Sequence, residues 1–516
     1  MNVSFNHTPA ARSEFWFRDG GFTLNTVQNL LEGKHLYLDS FYQYGSLPIG
    51  LYTFVSRFFG NGIEALSNYL LTIHILCIIA VFVVLAAGRC DLKATALVLL
   101  GLSSFIVKPL ILQYECEQFL TLIAMVIWQA PATRKPGRSV LVGIVLGVMQ
   151  WVRFGSSAGP ILGVLIVDLL CLYAREGAVT RNVLKTWLKQ GTFILCGFLL
   201  VESALLIQLF LTLPRDVAQD VAWPFYMLGS FSVYGPQDRY PRWISLNYFL
   251  GSQMTAVVAF LCVGFFLGAQ MFSSRARQTS LDENQTSYRF IVPFVAYLAN
   301  AAFFYQQVWH FYVGLWLLGI GAACGIRSLR IPARIALALL FLPGAYVALR
   351  PDSRHASAVP LVMTTTPRGE RLWLPPEVLA RTDHLVAALA EFEARKSSPM
   401  ADRKGVIILE RQPVTVSSHL HFFYLIPQAI RHTMIFPGWL RPRDFQQMER
   451  TMQDVTAVVL LQKNEQGPPP RDICRWNTYA FPSEFCTHVS DMLMDPIPVD
   501  GSSWIFPVKP STSGTQ

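Results

Sequence analysis

Long apolar runs separated by short polar loops dominate the chain between residues 67 and 350. Ten of them approach or exceed the length needed to cross a hydrocarbon layer of about 30 Å. They run roughly 67–88, 94–111, 114–130, 139–154, 157–174, 190–213, 252–272, 290–307, 309–326 and 332–350. The runs at 139–154 and 157–174 are short and are compatible with partly re-entrant segments. Two regions break the pattern. Residues 1–66 are polar and aromatic, and the stretch ending at Gly33 reads as an interfacial helix. Beyond 351, apolar positions recur at helical spacing from Pro375 to Arg395 and again from Pro442 to Met452, with strand-like runs at 405–409 and 455–461. Strands alternating with helices predict a small α/β domain. The expected fold class is therefore a polytopic α-helical membrane protein of about ten spans with a C-terminal extracytoplasmic α/β domain. Its expected divisions are an outer loop with interfacial helices (1–66), a helical membrane domain (67–350) and a soluble domain (351–516).

Composition agrees with the pattern. Hydrophobic residues make up 52% and charged residues 15% of the chain, where a soluble protein carries about 25% charge. The net charge of +9 has a cause other than nucleic acid, because basic residues concentrate in alternate short loops. One set of loops holds Arg89 and Lys93; Arg134, Lys135 and Arg138; Arg175, Arg181, Lys185 and Lys189; Arg275 and Arg277; and Arg327, Arg330 and Arg334. Retention of positive loops on the cytoplasmic side places residues 1–66, the turns near 112, 155 and 308, the loop 214–251 and the C-terminal part outside. No signal peptide or apolar helix precedes the outer N-terminal segment, so either the first span inserts with its N-terminus outside or, the favoured expectation, an upstream helix that this sequence does not carry precedes it. The expected location is multi-pass, in a bacterial inner membrane. Neither zinc-ligand spacing nor a Walker-type glycine loop occurs. Cys474 and Cys486 both fall in the outer part, where an oxidising compartment would permit a disulfide.

Ionisable groups near the outer ends of the spans are the candidates for chemistry, since charge at membrane depth is costly. Asp19 lies in the first outer segment, Glu115 and Glu117 at the turn near 112, Arg153 at the turn near 155 and His310 at the turn near 308; Lys108 ends a span. Each has a plainer reading. Asp19 suits a turn or a helix N-cap, Arg153 a snorkelling cation, His310 an aromatic belt and Lys108 a span end. Glu115 and Glu117 cannot face the same way on a helix, so at most one is expected to point inward and the other to be solvated. Asp39 and Tyr44 are expected to order the extended segment of the first loop. The polar residues read as clustered at outer turns rather than within spans.

Asp19, a helix, Gly33-Lys34-His35-Leu36-Tyr37-Leu38-Asp39 and then Tyr42-Gln43-Tyr44-Gly45-Ser46-Leu47-Pro48 follow one another. That order resembles the first extracytoplasmic loop of GT-C glycosyltransferases, which include the protein O-mannosyltransferases and lipid A aminoarabinose transferases. The resemblance implies transfer of a sugar from a polyprenyl-phosphate donor to an extracytoplasmic lipid, glycan or protein acceptor, with membrane lipids as surroundings. It also implies Asp19 as the catalytic carboxylate and Glu115 or Glu117 as the second acid. A phosphate leaving group is stable as an anion, so one carboxylate base suffices. Arg153, Lys108 and His310 would face the donor phosphate; a divalent metal ion could replace or supplement them, and no metal ligand is assigned. A transporter or flippase for a lipid-linked or envelope substrate is the alternative; it should show internal repeats or Gly/Pro-broken spans in matching halves. An assembly protein that binds partners through its C-terminal part is a third class.

Overall fold

The computed structural model describes residues 20–40, 42, 45–87, 112–128, 134–152, 157–222, 335, 360–395, 405–410, 415–416, 418–429, 442–452, 455–461 and 483–509. The N-terminal half contributes helices α1 (Gly21–Leu31), α2 (Ser46–Phe59), α3 (Ile63–Ala87), α4 (Leu112–Ile127), α5 (Pro136–Gln150), α6 (Ala158–Glu176), α7 (Arg181–Thr212) and α8 (Arg215–Ala222). Five expected spans correspond to α3–α7; the other five fall outside the described elements. Helices α5 and α6 are each unbroken, at 15 and 19 residues. Local chemistry sets several ends. Pro136 opens α5 at a position where a missing amide costs nothing. Gly177 closes α6 in the left-handed conformation, φ +74°. The Thr180 side chain then accepts a hydrogen bond from the Val183 amide, 3.2 Å, to start α7.

Helices α3 and α7 are long and apolar enough to cross a membrane. Large apolar side chains along α7, among them Leu188, Leu195, Leu200, Ile207 and Leu211, are exposed. Apolar surface of that extent suits contact with lipid, in keeping with the membrane class expected from the sequence. Helix α2 is two-sided, burying Ile49, Tyr52, Thr53 and Ser56 while exposing Leu51, Phe54, Phe58 and Phe59. Helices α5 and α7 touch backbone to backbone. A Cβ at Gly143 would run into the Ile194 carbonyl, and one at Gly197 would run into the Val140 carbonyl. Gly143 and Gly147 stand four residues apart on α5, the small-residue spacing that permits close helix approach in membranes.

The C-terminal half contributes β1 (Val362–Thr365), β2 (Arg371–Leu374), α9 (Pro376–Ala394), β3 (Val406–Glu410), β4 (Thr415–Val416), α10 (Ser418–Phe423), α11 (Pro442–Met452), β5 (Ala457–Leu461), α12 (Ser483–Met492), β6 (Ile497–Asp500) and β7 (Ser503–Pro507). β1 and β2 form a hairpin, and the other strands form one sheet in the order β4-β3-β5-β7-β6. β3 and β5 are parallel, and the remaining neighbours are antiparallel. Strand alternation divides two cores. Ile407, Leu409, Val458, Leu460 and Phe506 pack with α11 and α12. Val406, Ile408, Val459 and Ile505 point the other way, into a core that runs without interruption through α9, α10 and α1 into the membrane helices. Cys486 is disulfide-bonded; Cys474, the partner expected for it, lies outside the described residues.

Candidate active site

The outer segment folds back over the bundle. After α1, Gly33 turns the chain at φ +88°, and the exposed Asp39 carboxylate accepts the His35 amide at 2.8 Å. Tyr37, at φ +68°, donates its backbone amide to the Ser40 carbonyl at 2.7 Å. Burial pushes the Tyr37 phenol well above its ordinary range, a rise partly offset by a hydrogen bond with Ser46. Tyr42 stacks on Phe22, ring centroids 5.3 Å apart and nearly parallel. Gly45 then lies against the end of α5. A Cβ there would collide with the Trp151 carbonyl, which also accepts the Leu47 amide at 3.1 Å. The motif around Gly45 therefore docks on the Trp151–Val152 turn because glycine leaves room for it.

Glu115 and Glu117 stand in the first turns of α4, and both are buried, at 2% and 0% exposure. The expectation that one would be solvated is wrong because α4 is enclosed on more than one side, by α3 and by α5. Glu115 faces α3, where its Oε2 lies 3.0 Å from His74 Nδ1 and its carbonyl accepts from Cys77 Sγ at 3.7 Å. On the next turn from Glu117, Thr121 donates to the Glu117 carbonyl at 2.8 Å and reaches Met149 of α5. Gln118, 1% exposed, has both amide atoms buried without a hydrogen bond. Across the bundle, Trp151 Nε1 donates to Glu202 Oε2 at 3.1 Å, and Glu202 Oε1 is buried without a partner.

The opposite end of these helices holds a second polar cluster. Arg134 forms a bidentate pair with Asp168, both side chains fully buried. Asp168 also accepts from Trp128 Nε1 at 3.0 Å, while Arg134 Nε donates to Ser139 Oγ at 2.8 Å and Gln190 Oε1 at 3.3 Å. Arg134, counted above among the loop cations, is the centre of a four-helix junction, because Asp168 on α6 offers a charge that must be neutralised inside the bundle. The expectation that polar groups avoid the spans is likewise incomplete. His74, Asp168 and Glu202 all sit within helices, and a lone ionisable residue inside an apolar run was the signal that could have found them.

The sheet-bearing part closes over α1. A Cβ on Gly21 would lie 2.5 Å from His419 Cβ, and Asn25 Nδ2 donates to Gln428 Oε1 at 2.6 Å. The Arg368 guanidinium lies 4.1 Å over the Phe422 ring and reaches Gln28. Burial lowers the Arg368 pKa, opposed by the nearby Glu32 and Glu370. Glu370 Oε2 accepts the Ile63 amide at 3.2 Å, so a residue from the hairpin caps the first long span. The aromatic and basic run from His421 to Tyr424 belongs to this interface, with His419, His421, Phe422 and Phe423 all buried.

Of the expected site residues, Glu115, Glu117 and Asp39 are described, and they do not share one cluster. Asp19, Tyr44, Lys108, Arg153 and His310 lie outside the described residues. Among the described residues, no group of three or more His, Cys, Asp or Glu side chains could hold a metal ion. No family model matches the sequence, and no curated protein matches it. Among solved structures, the chain is similar to the crystal structure of ArnT from Cupriavidus metallidurans bound to undecaprenyl phosphate. That alignment covers 97% of this chain and 96% of the other, at 12% identity and a TM-score of 0.47.

Proposed function

We propose that this protein is a GT-C-type membrane glycosyltransferase of about ten spans. It moves a sugar from a polyprenyl-phosphate donor to an acceptor on the outer side of the membrane. The observation that carries the reading is the docking of Gly45 and Leu47 on Trp151. It ties the segment that follows Asp19 to the turn that leads into Arg153, and so supports an outer site built from both. Glu115, in the first turn of α4 and hydrogen-bonded to His74, supports a rigidly held second acid beside that site.

In this mechanism the Asp19 carboxylate takes the proton of the acceptor hydroxyl. The freed oxygen attacks the anomeric carbon as the bond to the phosphate oxygen breaks, which inverts the anomeric configuration. Polyprenyl phosphate departs as an anion, stabilised by Arg153, Lys108 and His310. The C-terminal part, on the same outer side, covers the site and helps to select the acceptor; its packing on α1, two residues beyond Asp19, supports that placement. No step is assigned to a metal ion.

A transporter or flippase remains the second reading, favoured by the ionisable groups inside spans. Against it, Asp168 is fully engaged by Arg134 and Glu115 is bonded to His74, as expected of ties between helices. The test compares envelope glycans and lipid carriers by mass spectrometry in cells producing wild type or Asp19→Asn. Loss of the transferred sugar, with normal amounts of the variant in the membrane, is expected. Transfer at the wild-type rate would remove Asp19 from its role, and movement of substrate without a new glycosidic bond would favour the transporter.

A further inference from the structure

Away from the outer site, a groove of about 270 Å³ lies between α6 and α7. Its volume falls below that of sites enclosing whole drug-sized ligands, about 300–1,000 Å³; a segment of hydrocarbon chain fits that scale. Ile161 and Leu165 form one wall, and Leu188, Thr192, Leu195 and Phe198 form the other. The wall is apolar even at its polar residues. Thr192 returns its hydroxyl to the Leu188 carbonyl at 2.9 Å, and Trp187 Nε1 donates to the Leu165 carbonyl at 2.8 Å, which bridges the two helices. Gly191 keeps the groove open, since a Cβ there would come within 3.2 Å of Leu165 Cδ2.

What distinguishes this groove from an ordinary lipid-facing crevice is the charge at one end. Arg181, Lys185, Leu188, Thr192 and Leu195 follow one helical stripe of α7. From Lys185 to Leu195 that stripe is about 15 Å long, half a hydrocarbon layer of about 30 Å. Arg175, Arg181, Lys185 and Lys189 are all exposed, and among the described residues none is paired with an acid. Between residues 174 and 190 the sequence supplies Glu176 as its single acid against these four bases. Loop charge assigns this end to the cytoplasmic side.

We propose that the α6–α7 groove is a binding site for one anionic glycerophospholipid of the cytoplasmic leaflet. An acyl chain lies along Leu188, Thr192 and Leu195, and the headgroup phosphate meets Arg181 and Lys185. The site is separate from the outer donor site and does not depend on the transferase reading. The test purifies the whole protein in detergent, offers phosphatidylglycerol, phosphatidylcholine or undecaprenyl phosphate in turn, and counts retained lipid by native mass spectrometry. One phosphatidylglycerol per protein is expected, preferred over phosphatidylcholine. Lys185→Gln should reduce that preference about fivefold, and Gly191→Leu, which plugs the groove, should lower retention of both phospholipids. Unchanged thermal unfolding in detergent verifies that each variant is folded. Equal retention of the two phospholipids by wild type would overturn the proposal. So would a preference unaffected by Lys185→Gln, or a polyprenyl phosphate bound in the groove and displaced by Gly191→Leu.

Discussion

His421 shows how far one buried side chain can set the conditions for stability. Its Nδ1 lies 2.8 Å from the Ile426 carbonyl, while Nε2 is buried without a partner. Burial pulls its pKa down to about 4, and the hydrogen bond to Ile426 only partly opposes this. The unfolded chain binds that proton near pH 6.5, so between pH 6.5 and about 4 the unfolded state holds more protons than the folded one. The contribution is therefore complete above pH 6.5. It falls by something on the order of 3 kcal/mol as the pH drops to 4. Thermal unfolding from pH 7 to 4 should show this loss in the wild type and a flatter profile in His421→Asn. Equal pH dependence in the two proteins would mean that His421 is not the titrating group.

At the scale of elements, the long apolar helices were legible in the sequence and the contacts between them were not. The runs at 67–88 and 190–213 announced α3 and α7 because hydrocarbon imposes a minimum length on any helix that crosses it. The strands at 406–410 and 457–461 were legible from their bounded β-branched runs. Nothing in one run states which neighbour it faces. Spacing alone gives Glu115 and Glu117 different faces, one inward and one outward on a helix with a wet side, yet α4 is enclosed and both are buried. Arg134 looked like loop charge because its partner Asp168 is 34 residues away on another helix. Removing one member of that buried pair is expected to be severe. Asp168→Asn should cost about 3–5 kcal/mol, and Arg134→Met with Asp168→Leu should recover most of it. Reversible unfolding in mixed micelles provides the comparison; a double variant as unstable as the single one would contradict this account of the junction.

At the scale of the whole molecule, the membrane helices and the sheet share one hydrophobic core. The sequence suggested a boundary near 351, where composition changes, but composition does not report packing. The joint is carried by a few polar contacts over apolar ones: Asn25 with Gln428, Arg368 with Gln28, and Glu370 with the amide of Ile63. Glu370→Ala should weaken the joint by about 1 kcal/mol. Hydrogen exchange should then accelerate about fivefold in α1 and around residues 61–66, and unchanged exchange there would show that the cap is dispensable. The Glu370 contact spans 307 positions of sequence, and this has a bearing on biosynthesis. At about 5–20 residues per second, a ribosome needs roughly 15–60 s after making Ile63 to deliver the carboxylate that caps it. Throughout that interval α10, which will meet α1, has yet to be made. A nascent copy interrupted before residue 370 is thus expected to lack both the cap on Ile63 and the α10 contact of α1, however well its first helices have formed.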